Sequence, residues 1–284
     1  MTTLLLLFAA FALAPLALGL GLAARAPTRL PNLRILGSVL FCALAFNLVF
    51  FWQELWLVIP KALTPGLHPI LFHNDHDWTG SAPIAELLQG SGAVATLVIG
   101  LAFAAILAAR PGLGDSMRLF CFWMAFQGLS QSLTQLAVGT VLPGNDVGRA
   151  LAYLDVGQAG HAILAILAAA ALAISGLLLA RLFPAEPTDG RVHPSAGISV
   201  ILAAALLSVI LIIPFRIPRN PIETTAIPLM VNLIGAGWTT LGFARTPRGA
   251  RLGAPVRTGF LLPILCLCTL LLVFQLLLRP GIRF

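Results

Sequence analysis

The feature that most constrains this chain is a succession of apolar stretches of membrane length, separated by short connections rich in proline, glycine and arginine. A transmembrane helix needs about 20 mostly apolar residues, and lipid leaves no water to satisfy an irregular backbone. Eight such segments are predicted, near 3–24, 35–59, 85–109, 118–141, 154–180, 196–214, 225–244 and 259–278. The fold class that follows is all-α: a polytopic bundle of about eight transmembrane helices, with 1–284 as a single integral membrane domain. Composition agrees. Only 10% of the 284 residues are charged and the mean hydropathy is +0.97, whereas a soluble domain carries about 25% charge.

Met1 to Ala24 is long and apolar but has no basic leading region. It therefore reads as a retained span and not as a cleaved signal peptide. The net charge of +7 does not point to nucleic acid. The arginines sit at segment ends, where they anchor and orient helices. Eleven Lys and Arg residues fall in one set of connections, including Arg25, Arg110, Arg181 and Arg248. Six fall in the other: Lys61, Arg149, Arg216, Arg219, Arg279 and Arg283. The larger set is expected to be cytoplasmic, which puts both termini outside. The setting that fits is a bacterial cytoplasmic (inner) membrane.

Cys42, Cys121, Cys266 and Cys268 all lie inside apolar segments and form no disulfide framework. Ala165, Ala169 and Ala173 recur every four residues and read as a close-packing stripe. Prolines 27, 31, 60 and 65, and the turn Pro143-Gly144-Asn145-Asp146, are expected to end helices.

Ionisable groups at membrane depth are costly, so they mark functional sites by default. On the predicted map they crowd one interface. Glu54 lies near the outer end of the second helix, between Trp52 and Trp56, and is a candidate general acid or base. The outer connection 60–84 carries His73-Asn74-Asp75-His76-Asp77-Trp78. It is expected to lie on the membrane surface or to fold back over the helices. Its imidazoles and carboxylates suit a divalent transition metal: zinc, iron, manganese or copper. His73 and His76 would share a face if the stretch were helical.

Asp155, Gln158 and His161 step down the start of the fifth helix on nearly one face. Asp155 is a second catalytic candidate, and His161 a further metal ligand alongside His73, Asp75, His76 and Asp77. Gln127, Gln131 and Gln135 form a polar stripe on the fourth helix. With Gln158 they read as the wall of a polar cavity or as interhelical glue. Asn232, four residues after Pro228, is expected to bond the carbonyl that the proline frees.

Three functions fit these residues. The first is a membrane-embedded, metal-dependent hydrolase acting on a lipid-like or peptide substrate at the outer leaflet. The second is a proton-coupled or metal-ion transporter, with Glu54, Asp155 and His161 carrying the ion. The third is a non-catalytic subunit of a larger membrane complex, a redox one included. No nucleotide-binding motif is present, so none of these hydrolyses ATP on its own.

Overall fold

The computed structural model describes residues 10–11, 13–21, 32–183, 194–244 and 259–284. Helix α1 covers 13–21. The longer helices are α2 (Asn32–Ala62), α4 (Ser91–Ala109), α5 (Asp115–Gly139), α7 (Gln158–Leu182), α8 (Pro194–Arg216), α9 (Ile227–Ala244) and α10 (Leu261–Leu272). Two short helices, α3 (Ala85–Leu88) and α6 (Asp146–Tyr153), lie in connections. A π-helical turn, Ile222–Ala226, leads into α9, and another, Val273–Leu278, continues α10.

Among the described residues six helices are long and apolar enough to cross a membrane: Ile35–Ala62, Ala85–Ala109, Gln158–Leu182, Ala196–Arg216, Ile222–Phe243 and Leu261–Leu278. This is an integral membrane fold, and its outward leucines and isoleucines meet lipid. Helix α5 is 25 residues long, but its glutamines and hydroxyls keep it below that apolarity. It is the innermost element instead, with Cys121 to Thr134 continuously buried. Of the first predicted segment, 3–24, only part lies within the described residues.

Several expectations are corrected. Pro60 does not end the second helix, which runs through it to Ala62. Proline cannot donate to the carbonyl four residues back, and here Ser91 Oγ donates to the Trp56 carbonyl instead, at 2.6 Å. The fifth predicted helix starts at Gln158, not 154, and α6 fills part of the connection before it. The Pro143-Gly144-Asn145-Asp146 turn is present, and the Asn145 side chain accepts from the Val147 N–H at 3.1 Å to cap α6.

The buried seam of α7 is Ala168, Leu172, Gly176, Leu179 and Ala180. Ala165, Ala169 and Ala173 are half-buried beside it. Helices α4 and α5 approach closely at Gly100 and Gly128. A Cβ on Gly128 would stand 2.7 Å from the Gly100 nitrogen and 2.9 Å from the Thr96 carbonyl. Ser132 Oγ ties the same pair, donating to the Ala93 carbonyl at 2.7 Å.

Connection 60–84 folds back over one end of the bundle, but as a β-hairpin and not a helix. Strands β1 (Leu67–Leu71) and β2 (His76–Gly80) pair antiparallel, with Pro69 opposite Trp78 and Leu71 opposite His76. A third strand, β3 (Ile282–Arg283), pairs with the other edge of β1, giving the order β2-β1-β3. Gly66 and Gly80 close the base of the hairpin at φ +83° and +94°. Side chains are rarely tolerated there, and a Cβ on Gly80 would run into the Gly66 carbonyl.

Candidate functional site

The hairpin carries His76 onto the last turns of α2. His76 Nδ1 lies 2.8 Å from Glu54 Oε2, and His76 Nε2 lies 2.9 Å from Gln89 Oε1. The His76 and Glu54 side chains are only 8% and 5% exposed. Lys61, fully buried on the same helix, donates to the Leu57 carbonyl at 2.8 Å and to Gln89 Oε1 at 3.4 Å. The lysine fixes the Gln89 amide with its oxygen toward His76. Both ring nitrogens of His76 therefore face acceptor oxygens, an arrangement that favours the protonated ring. Burial pushes the His76 pKa down, but the hydrogen bond and charge of Glu54 more than reverse this, leaving it above the ordinary histidine value.

Trp78, two residues on, roofs the site. Its ring stacks near-parallel to His76, with centroids 6.0 Å apart. The Lys61 ammonium lies 4.7 Å and the Arg149 guanidinium 4.9 Å from its centre, both within cation–π range. Arg149 is held in turn by Glu86 through two bonds of 2.6 and 2.7 Å. Asp146, at the start of α6, has its pKa raised by burial and by the Glu54 charge, against the pull of His76, Lys61 and Arg149. Asp75 forms an ion pair with Arg219, which also reaches Glu223 at 3.4 Å.

Glu54, Asp75 and His76 offer ligand atoms that all lie within 4.8 Å of one another, and the group could hold a metal ion. Tetrahedral zinc with bonds of about 2.0–2.1 Å spaces its ligands by ~3.3 Å. Asp75 is at the same time paired with Arg219. Gln89 is already placed as the acceptor that a metal-bound histidine needs on its second nitrogen.

The other predicted ligands are not brought to this place. His73 sits in the hairpin turn with Nε2 3.0 Å from the Ile217 carbonyl, against Phe274. Burial, opposed by that carbonyl and aided by Arg279, Arg219 and Arg216, lowers its pKa. Strand geometry explains the separation from His76, since the shared face required a helix. Asp77 is exposed and accepts from the Trp78 N–H at 2.8 Å. His161 Nδ1 meets the Thr140 carbonyl at 2.8 Å and pins the start of α7 to the end of α5. Asp155 is exposed, with φ +50° in the link between α6 and α7, and Gln158 is exposed as well.

The glutamine stripe is bonded within the bundle in two separate sets. Gln135 bonds Gln53, the neighbour of Glu54. Gln131 bonds the Phe46 carbonyl and Gln127, each at 3.3 Å, and Gln127 bonds Asn232 Oδ1 at 2.8 Å. Asn232 goes on to the Ala205 carbonyl and Ser208 Oγ, each at 3.2 Å. It is thus a hub joining three helices, and not the partner of a carbonyl freed by Pro228. Replacing Asn232 by leucine removes three interhelical contacts at roughly 0.6 kcal/mol each. A loss of about 2 kcal/mol is expected, read as a lower unfolding midpoint in micelles. Gln131 and Gln135 line a cavity of about 130 Å³ with Thr134, Asn145, Phe46 and Phe50. Gln131 Oε1 and Thr134 Oγ1 have no protein partner there.

Sequence reasoning missed Lys61, Gln89, Arg149, Glu86, Arg216 and Arg219. A usable signal existed: four of the six cations on the less basic side of the chain are these. No protein-family model, curated protein or solved structure matches this chain.

Proposed function

We propose that the protein is an eight-span enzyme of a bacterial cytoplasmic membrane, with both termini and the hairpin facing outward. It performs a hydrolytic reaction on a lipid-like substrate at the outer leaflet. The observation that carries this reading is the Glu54–His76 contact of 2.8 Å, made between a spanning helix and a hairpin in a setting nearly closed to water. A carboxylate–imidazole pair so placed holds a proton between two groups that can each give or take it. Transfer of the Nδ1 proton to Glu54 Oε2 leaves a neutral imidazole and a carboxylic acid that can return it. Lys61 and Gln89 keep the ring oriented throughout, and Trp78 excludes bulk water.

A divalent transition metal fits the same donors, with Glu54, Asp75 and His76 as ligands and Gln89 behind the histidine. Such an ion supplies a Lewis acid beside the bond to be broken. The test is metal content by mass spectrometry on protein purified without chelators, wild type beside Glu54→Gln and His76→Ala. About one zinc, iron, manganese or copper ion per chain, lost in both variants, is expected. A metal-free wild type that stays folded overturns the metal-dependent form.

A second reading, proton-coupled transport, is favoured by the buried amides Gln131, Gln127 and Asn232, which bond in series deeper in the bundle than Glu54. It predicts proton uptake by liposomes containing the wild type and none with Glu54→Gln.

A further inference from the structure

Arg216 ends the spanning helix α8, at the level where lipid headgroups lie. It is only 5% exposed. Its guanidinium carbon lies over the Phe50 ring, 4.1 Å from its centre, and its Nε donates to the Glu223 carbonyl at 2.7 Å. Its own carbonyl accepts from the Asn74 side chain at 2.8 Å, so backbone and head are both fixed. Among the described residues, Nη1 and Nη2 make no hydrogen bond, and no carboxylate lies within 4.0 Å of them. Neither nitrogen is among the fully enclosed polar atoms that lack partners. Glu54 and Glu223 are the carboxylates whose charges act on it most. Glu54 is engaged by His76, and Glu223 by Arg219 and Asn220.

A buried charge is ordinarily paired, because leaving it unpaired costs several kcal/mol. Here the fork is rigid, desolvated and open on the edge that makes two parallel bonds to an oxyanion. Arg219 adds positive charge on the same loop, and Glu54 is engaged by His76. The position beside Phe50 puts an anion on Arg216 close to the Glu54–His76 pair, since Phe50 lies one helical turn before Glu54.

We infer that Arg216 is the anchor for a phosphate-type oxyanion carried by the molecule this site acts on. The inference rests on the enzyme reading for the word substrate, but the binding itself does not. The shared chemistry is a phosphate group with two oxygens free, on a lipid headgroup or on inorganic phosphate.

The experiment uses the full chain in maltoside micelles, free of phosphate. One arm adds a phosphatidate in mixed micelles, and the other adds inorganic phosphate at millimolar concentration. Binding is read by native mass spectrometry and by the shift in unfolding midpoint. The wild type is expected to hold about one phosphatidate per chain and to gain thermal stability. Arg216→Lys, which keeps the charge but loses the fork, is expected to bind about tenfold or more weakly, as the loss of one charged hydrogen bond implies. Arg216→Gln is expected to fall further. Binding of inorganic phosphate alone keeps the oxyanion anchor and overturns the lipid source. Equal binding by wild type and Arg216→Lys, with both chains folded, overturns the inference. Glu54→Gln separates the two readings: a variant that still binds phosphatidate but has lost metal or proton chemistry leaves the anchor standing, whichever way the enzyme reading falls.

Discussion

His76→Ala is expected to destabilise the folded chain by about 3–5 kcal/mol, because it leaves the buried Glu54 carboxylate without its counter-ion. Glu54→Gln should cost less, since glutamine keeps a carbonyl for the ring to bond. The sharper signature is in pH. The folded-state pKa of His76 lies above its unfolded value of about 6.5. The folded state therefore holds more protons between those two values, and stability falls as pH rises through that window. The contribution is complete below about 6.5 and gone above the folded pKa. His73 works in the opposite sense, because its folded pKa is depressed. Its effect is confined to the window below about 6.5, where stability is lost as pH falls. Unfolding midpoints in micelles from pH 5 to 9 separate the two. The wild type should lose stability on the alkaline side, and Glu54→Gln should flatten that limb. An alkaline limb that survives Glu54→Gln means that His76 does not carry it.

Gly128→Val is the second large effect, and it tests packing without touching chemistry. A side chain there meets the Gly100 backbone and the Thr96 carbonyl, not the yielding tip of another side chain. Helices α4 and α5 must move apart. That breaks the Ser132–Ala93 bond and loosens a helix that is continuously buried from Cys121 to Thr134. Overpacking in a well-filled core costs about 1–3 kcal/mol and sometimes more, and here the obstacle is main chain on both sides. The expected result is loss of the monodisperse peak in size-exclusion chromatography, or a midpoint lowered well beyond that of Asn232→Leu. Gly112→Val, at a position with open space around it, is the control and should match the wild type.

The spans were legible because lipid imposes length and apolarity on a helix regardless of its neighbours. Helix α5 shows the limit of that rule. A helix sheathed by others can carry Gln127, Gln131 and Gln135, since its polar groups are met by protein. Glu54 and His76 were both legible as candidates because charge at membrane depth is rare. Their pairing was not, because it depends on a hairpin whose signal was hidden. Pro60 and Pro65 read as breaks, yet Pro60 lies inside α2, and Pro69 lies inside β1. His161 reads as a further metal ligand on the fifth predicted helix, but its Nδ1 is spent on the Thr140 carbonyl at the end of α5. Lys61 and the arginines were counted as topology markers. A positive-inside tally treats every cation alike, although a lysine that ends fully buried under Trp78 is held there by tertiary contacts that no loop count contains.

The three-stranded roof has a consequence for the order in which this protein can mature. Strands β1 and β2 leave the ribosome soon after α2, so Glu54 and His76 are synthesised early and close together. Strand β3 follows α10 and pairs with β1 through Ile70–Arg283 and Leu71–Ile282. The edge of β1 therefore stays unclaimed throughout the insertion of every later helix and is covered only when the last span is in place. Completion of the bundle and closure of the roof are one event, and a ribosome stalled before α10 would leave a chain with all its acidic and imidazole groups but an open-edged, unfinished chamber.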